Sequence, residues 1–198
     1  MWMILKYVRY VCTFILDIIF PRQCYICKTN DASICKKCIS QFKPSVDSPY
    51  PYIHCLYSFK DPQVKKIIHA IKYFHRKDLI LPLALSLADE IKKLDNYTDY
   101  VLVPIPMPSF RKYTRGFNHT EALACAISKV TPLPVITDLH IKNASHLERR
   151  QVSTRSRSER LRNRHNAFII ETPLQHKKLL IIDDVTTTGA TLNEARKI

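Results

Sequence analysis

Residues 179–191 read LLIIDDVTTTGAT, and this run restricts the fold more than any other part of the chain. Four consecutive apolar residues suit a strand buried on both faces of a parallel sheet. The run then turns polar, through Asp183 and Asp184 into Thr186, Thr187, Thr188 and Gly189, before a helical pattern that opens near Ala190. In open α/β folds, ligands bind at the carboxyl ends of the parallel strands. A turn leading into a helix offers backbone N–H groups, hydroxyls and the positive end of the helix dipole to a phosphate. Adjacent carboxylates can accept hydrogen bonds from the two hydroxyls of a ribose. Phosphate donors and diol acceptors one sugar apart describe a site for a ribose 5-phosphate group. Asp and Thr also make ordinary turns and helix caps. A cap needs one such residue, however, and here two acids and three threonines follow the strand.

The surrounding pattern predicts an α/β domain. Strand-like stretches at 54–59, 100–105, from Val135, at 167–170 and at 179–182 alternate with helical patterns at 62–73, 79–94 and 121–129. Within 62–73, Val64, Ile67, Ile68 and Ile71 recur at helical spacing behind Pro62, a residue suited to a first turn. Such alternation argues for a mostly parallel sheet covered on both faces. Glycine occurs only at Gly116 and Gly189. Each is expected where the backbone takes positive φ or approaches a ligand closely.

Three shorter blocks precede this domain, which is assigned to 52–198. In 1–20, Trp2, Leu5, Val8, Cys12, Ile15 and Ile19 recur at helical spacing, predicting an amphipathic helix packed on the body. Lys6, Arg9 and Asp17 interrupt the run, and no uncharged stretch approaches the roughly 18 residues a spanning helix needs. No cleavage-site pattern follows it. The expectation is a cytoplasmic protein without stable membrane insertion, a peripheral anchor being the alternative. Block 21–43 carries Cys24-Tyr-Ile-Cys27 and Cys35-Lys-Lys-Cys38. Two such knuckles can place four thiolates around one zinc ion, whose role is structural because protein ligands close the site. Disulfides are the rival reading; an odd total of seven cysteines in a chain of cytosolic profile argues against them. Cys12, Cys55 and Cys125 are expected as small buried apolar residues. Block 44–51, with Pro44, Pro49 and Pro51, reads as a linker.

A second constellation is VLVPIPMPSFRKYTRGFNHTEALA at 101–124. A strand leaves into a loop bearing Arg111, Lys112, Arg115 and Gly116, then Phe117 and Asn118, then a helix with Thr120 and Glu121 near its start. Cations and a flexible glycine beside a strand end suit a departing pyrophosphate, although a basic loop is often simply solvated. Lys and Arg outnumber Asp and Glu by 31 to 17, for a net charge of +14. That balance fits anionic partners such as phosphorylated metabolites or nucleic acid. Residues 149–164 hold seven arginines, which in isolation suit a solvated helix face.

Residues 179–191 resemble the 5-phosphoribosyl-1-pyrophosphate (PRPP) signature of type I phosphoribosyltransferases. The resemblance implies that Asp183 and Asp184 hold the ribose hydroxyls, and that Thr187, Thr188, Gly189, Ala190 and Thr191 form the 5-phosphate turn. Together with 101–124, the chain resembles the competence protein F (ComF) family, in which a proline-rich strand end is followed by Arg-Gly-Phe-Asn-Gln. Arg115, Gly116, Phe117 and Asn118 match, and His119 stands where the family has glutamine. Gln151, Glu159, Arg160, Asn163, Ala167 and Phe168 fit a later family outline, with Gln151 one residue out of spacing. His69, Lys72 and Tyr73 end a helix as the family's does; Lys72 either reaches the site or favours a helix C-terminus.

This resemblance implies a type I phosphoribosyltransferase fold that binds PRPP with magnesium and is linked to DNA uptake in natural competence. In a transferase, a nucleophile would displace pyrophosphate from the anomeric carbon, with magnesium and Arg115 offsetting the leaving charge and Gly116 beside it. The sequence identifies neither the nucleophile nor a base pocket. The other class is a non-catalytic module for single-stranded DNA, acting with competence proteins. Lys and Arg would meet phosphates while Tyr73, Phe74 and Tyr113 stack on bases. The family continues through the helix after Gly189 into a further strand, whereas this sequence stops at Ile198. A C-terminally incomplete domain is therefore expected.

Overall fold

A computed structural model describes residues 23–30, 32–46, 48, 50–141, 168–170 and 178–198. They form two compact units that divide between Phe42 and Lys43. The helix expected over 1–20 and the arginine stretch 149–164 lie outside the described residues.

In the first unit, the 23–30 loop is closed by Cys24 N donating to Thr29 O at 2.9 Å and Lys28 N to Cys24 O at 2.9 Å. A one-turn helix, α1 (Lys36–Ile39), follows. Ile34 and Phe42 supply its small apolar interior together with the cysteines.

The second unit opens with α2 (Pro62–Tyr73). Its start is fixed by Asp61, whose side chain accepts from Gln63 N at 2.7 Å, Val64 N at 3.4 Å and Lys43 N at 2.9 Å. Burial pushes the Asp61 carboxyl up, but these three donors outweigh it and hold the group below its ordinary value. Val64, Ile67, Ala70 and Ile71 form the buried stripe. A short 3₁₀ turn, Lys77–Leu79, leads into α3 (Ile80–Ile91), which buries Ile80, Leu83, Ala84, Ala88 and Ile91 at helical spacing.

Strand β1 (Tyr100–Pro104) is buried from Val101 to Pro104. It leads to α4 (Ser109–Arg115) and α5 (His119–Ser128). Next come β2 (Leu139–Ile141), β3 (Phe168–Ile170), β4 (Lys178–Ile182) and α6 (Ala190–Arg196). Strands β1 and β4 pair in parallel, with Tyr100 opposite Lys178 and Pro104 opposite Ile182. On the other edge of β1, Leu102 bridges Val135 in parallel through Leu102 N to Pro134 O and Ile136 N to Leu102 O, both 2.9 Å. Strands β2 and β3 pair antiparallel. Val103, Ile105, Leu139 and Ala195 form a core cluster against which Phe168, Ile170, Leu179, Ile181 and Leu192 pack. Helix α5 packs on β1 and α3, and α6 on β4. The unit is therefore mixed α/β, with a small parallel sheet.

Several expectations are corrected. Residues 54–59 form no strand: a single antiparallel bridge joins Pro44 to Tyr57, with Ser58 N on Lys43 O at 2.9 Å. Proline contributes no N–H, so Pro44 cannot extend that ladder. The proline-rich 44–51 block thus begins folded back on 56–58. The strand expected at Val135 is likewise one bridge long, beside Pro134. Residues 109–115 form a helix where a loop is expected; it buries no residue, so it leaves no apolar stripe to read. Cys125 is exposed and Cys55 half-buried. Cys125 lies on the outer side of α5, away from Leu123, Ala124 and Ile127. Among the described residues, no helix is long and apolar enough to cross a membrane.

Candidate functional site

The ends of β1 and β4 are locked together just where the acidic pair begins. Ile105 N donates to Ile182 O at 2.9 Å, so the chain leaves both strands side by side. The carbonyl of Ile105 is held from α5: Thr120 Oγ1 lies 2.6 Å from it and Asn118 Nδ2 3.4 Å. Asn118 is the N-cap of α5, its Oδ1 accepting from Thr120 N at 3.2 Å and lying 2.6 Å from Thr120 Oγ1. Both residues are buried, so this polar pair secures the strand end from within the core. The sequence carries a signal for it, since Asn before a helical run is a strong N-cap pattern.

Asp183 and Asp184 follow β4 directly. Asp184 Oδ2 sits 2.5 Å from Lys72 Nζ, at the end of α2, and 3.0 Å from His119 Nε2, at the start of α5. The Asp184 side chain is 12% exposed and that of His119 8%. Burial alone would raise the Asp184 carboxyl; the nearby His119 side chain and the Lys72 charge override it and hold the group at about 2. Among the described residues, none forms an ion pair with Asp183. Burial first, and then the negative charge of Asp184, push it up to about 7, although its Oδ1 accepts from Asp184 N at 2.8 Å and the Lys72 charge lowers it somewhat. Two neighbouring carboxyls thus hold their protons very differently, an arrangement characteristic of functional sites.

After Asp184 the chain turns through Thr186, Thr187, Thr188 and Gly189. Thr187 and Thr188 are exposed, Gly189 is buried, and Ala190 and Thr191 are half-buried at the start of α6. Gly189 takes φ 69°, a left-handed conformation that favours glycine, and its carbonyl accepts from Asn193 N at 2.8 Å. Gly116 also has φ 69°, ending α4; a Cβ there would meet the His75 ring at 3.7 Å, an ordinary contact. The positive φ, and not crowding, is what asks for glycine at 116. Arg115 is directed to Tyr73, with its guanidinium 5.2 Å from the ring centre and Nη2 donating to the phenol oxygen at 3.4 Å. Tyr73 adjoins Lys72, so the ends of α2 and α4 meet beside the acidic pair. Tyr73, Phe74, Phe110 and Tyr113 are exposed around this junction. Lys77 lies 4.7 Å from the Phe117 ring.

Of the residues whose role the sequence leaves open, Lys72 reaches the site and His119 touches Asp184. Both contacts join segments far apart in the chain, so neither is visible in local pattern.

In the first unit, the sulfurs of Cys24, Cys27, Cys35 and Cys38 lie within 4.8 Å of one another. Four thiolates about 2.3 Å from a tetrahedral centre stand about 3.8 Å apart. The Cys27 to Cys35 separation is 3.6 Å, and Cys35 N points to Cys24 Sγ at 3.4 Å. All four are free thiols, three of them buried, so the cluster has the chemistry and spacing to hold one metal ion.

Fold and site together define an α/β protein with an acidic strand end and a separate four-cysteine unit. No family model matches the chain. It is similar to Competence protein F of Haemophilus influenzae, 29% identical over 98 residues that make up 49% of this chain and 42% of that protein. It is also similar to DNA utilization protein YhgH of Escherichia coli K12, 28% identical over 185 residues, covering 89% of this chain and 75% of that protein. Competence protein ComFC of Streptococcus pneumoniae is 38% identical over 115 residues, 58% of this chain and 47% of that protein. The matches thus span less than half the length of the Haemophilus and Streptococcus relatives.

Proposed function

We propose that this chain binds a phosphoribosyl compound, PRPP with magnesium, on a type I phosphoribosyltransferase-like domain, and that it serves DNA uptake in the cytoplasm as a ComF-like protein. The observation that carries the reading is the acidic pair at the carboxyl end of parallel strand β4, Asp184 in close charged contact with Lys72 and His119, followed within six residues by the left-handed Gly189 turn. The names of the relatives support the link to DNA uptake. In this reading Asp183 and Asp184 accept the ribose hydroxyls, and Thr187 to Thr191 surround the 5-phosphate. Arg115 and Gly116, at the end of α4, stand on the side of the leaving pyrophosphate. Magnesium, carried in with the PRPP, would offset charge on that pyrophosphate. Zinc on Cys24, Cys27, Cys35 and Cys38 is structural.

A second reading is favoured by the exposed aromatics beside cations: Tyr73 under Arg115, with Phe74, Phe110 and Tyr113 nearby. These suit stacking on single-stranded nucleic acid without chemistry at the acidic pair. Two assays on the full chain separate the readings: pyrophosphate release from PRPP with and without added nucleobases, and a single-stranded DNA titration at two salt concentrations. Release above the no-protein rate supports the transferase. DNA binding that weakens steeply with salt, with no release, supports the binding module; a chain inert in both assays refutes both.

A further inference from the structure

We propose that Lys72 and His119 form an ionic clamp that positions Asp184, taking Oδ2 between them in close contact and leaving Oδ1 as the oxygen that meets the ligand. The inference rests on the reading of 183–191 as a ribose 5-phosphate site. Three elements converge on one oxygen: the end of α2 brings Lys72 to 2.5 Å, the start of α5 brings His119 to 3.0 Å, and β4 delivers Asp184. Among the described residues, the other charged neighbour is Asp183, on the same segment and repelling Asp184.

The two donors do different work. Lys72 contributes a cation, without which two adjacent buried carboxyls would compete for one charge. His119 contributes direction: facing a carboxylate, its Nε2 must carry the hydrogen. Among the described residues, its other nitrogen, Nδ1, is buried without a hydrogen-bond partner, and Asp184 Oδ2 is held by the close charged contacts of Lys72 and His119 without a hydrogen bond of regular geometry. Beside the ring lies a cavity of about 20 Å³ lined by Ile68, Ile71, Ile80, Leu83 and Leu123 and, with His119 itself, by Asp184. His119 touches Asp184 at 3.0 Å and acts through it, as a positioning residue. An apolar side chain would suit the wall better, since a buried polar nitrogen without a partner costs stability. What the imidazole adds is the polar contact of Nε2 with Asp184 Oδ2 at 3.0 Å.

The test uses the full chain and the variants Lys72→Met, Lys72→Arg, His119→Leu and His119→Gln. Leucine keeps bulk without a donor, whereas glutamine's amide keeps one. The first readout is the titration midpoint of the Asp184 carboxyl, followed by carbon NMR without ligand. The second is calorimetry with ribose 5-phosphate set beside inorganic phosphate. Lys72→Met and His119→Leu should raise the Asp184 midpoint. Each should weaken ribose 5-phosphate by roughly tenfold, the scale of one charge-assisted hydrogen bond, without weakening inorganic phosphate. Lys72→Arg and His119→Gln should recover most of both losses. An unchanged Asp184 midpoint in Lys72→Met and His119→Leu, or equal losses in His119→Gln and His119→Leu, would overturn the clamp. Failure of the wild-type chain to bind ribose 5-phosphate would instead overturn the reading of the site, and the NMR arm would then decide the clamp alone.

Discussion

Replacing Asp183 by Asn should stabilise this protein, and by an amount that grows with pH. The Asp183 carboxyl is raised from 3.8 to about 7 by burial and by the charge of Asp184. Below pH 3.8 both folded and unfolded chains hold the proton, and the group is neutral to stability. Between 3.8 and about 7 the folded state binds more protons than the unfolded one, so stability falls as pH rises; above 7 the loss is complete. Each tenfold change in proton affinity is worth about 1.36 kcal/mol, so the full loss is on the order of a few kcal/mol. Asparagine keeps the shape and cannot ionise. The stability gap between Asp183→Asn and wild type should therefore be small at pH 4 and widen steadily to a few kcal/mol, on that order, at pH 8. Asp184, held at about 2, acts with the opposite sign: its stabilisation is present above 3.8 and is lost as pH falls towards 2, outside this window. Urea unfolding of both proteins at pH 4, 5, 6, 7 and 8 measures the gap. A gap that stays constant across this range would refute the assignment of a costly, ionisable carboxyl to Asp183. The wild-type penalty would then be one that function retains, as binding sites commonly do at the expense of stability.

Two further outcomes follow from the geometry. Thr120→Val removes a buried hydroxyl 2.6 Å from the Ile105 carbonyl and leaves that oxygen with the 3.4 Å Asn118 contact; it should cost about 1–3 kcal/mol in urea unfolding, and a change near zero would mean the strand end is held by packing alone. Protein purified without added zinc should carry one equivalent by metal analysis, falling to near none in the Cys27→Ser plus Cys38→Ser variant; full retention in that variant would remove the four-cysteine assignment.

Much of the fold is legible where burial imposes a period. Val64, Ile67 and Ile71 mark α2 because that face is covered; the apolar run before Asp183 marks β4, although Leu179 to Ile181 are only half-buried and Ile182 alone is buried, short of the fully covered strand expected. Helix α4 is illegible because it buries nothing, and the short bridges at Tyr57 and Val135 mislead because neighbouring prolines stop a ladder that the side chains alone would permit. At the site, Asp183, Asp184 and Gly189 are readable because their chemistry is contiguous in sequence. Lys72 and His119 are not, since their meeting with Asp184 depends on how α2 and α5 pack. Asn118 shows an intermediate case: its capping role is local and readable, while its grip on Ile105 emerges only when β1 and α5 are brought together.

The central claim is tested most directly by calorimetric titration of PRPP with magnesium into the folded full chain and into Asp184→Asn and Gly189→Val. Wild type should bind. Asp184→Asn should lose affinity for PRPP and ribose 5-phosphate while keeping inorganic phosphate, because it weakens the hydroxyl acceptor alone. Gly189→Val, a β-branched residue forced to φ 69°, should lose all three ligands as the phosphate turn is strained. Affinities unchanged in both variants would mean that residues 183–191 are only a capped turn, and the phosphoribosyl reading would fall with them.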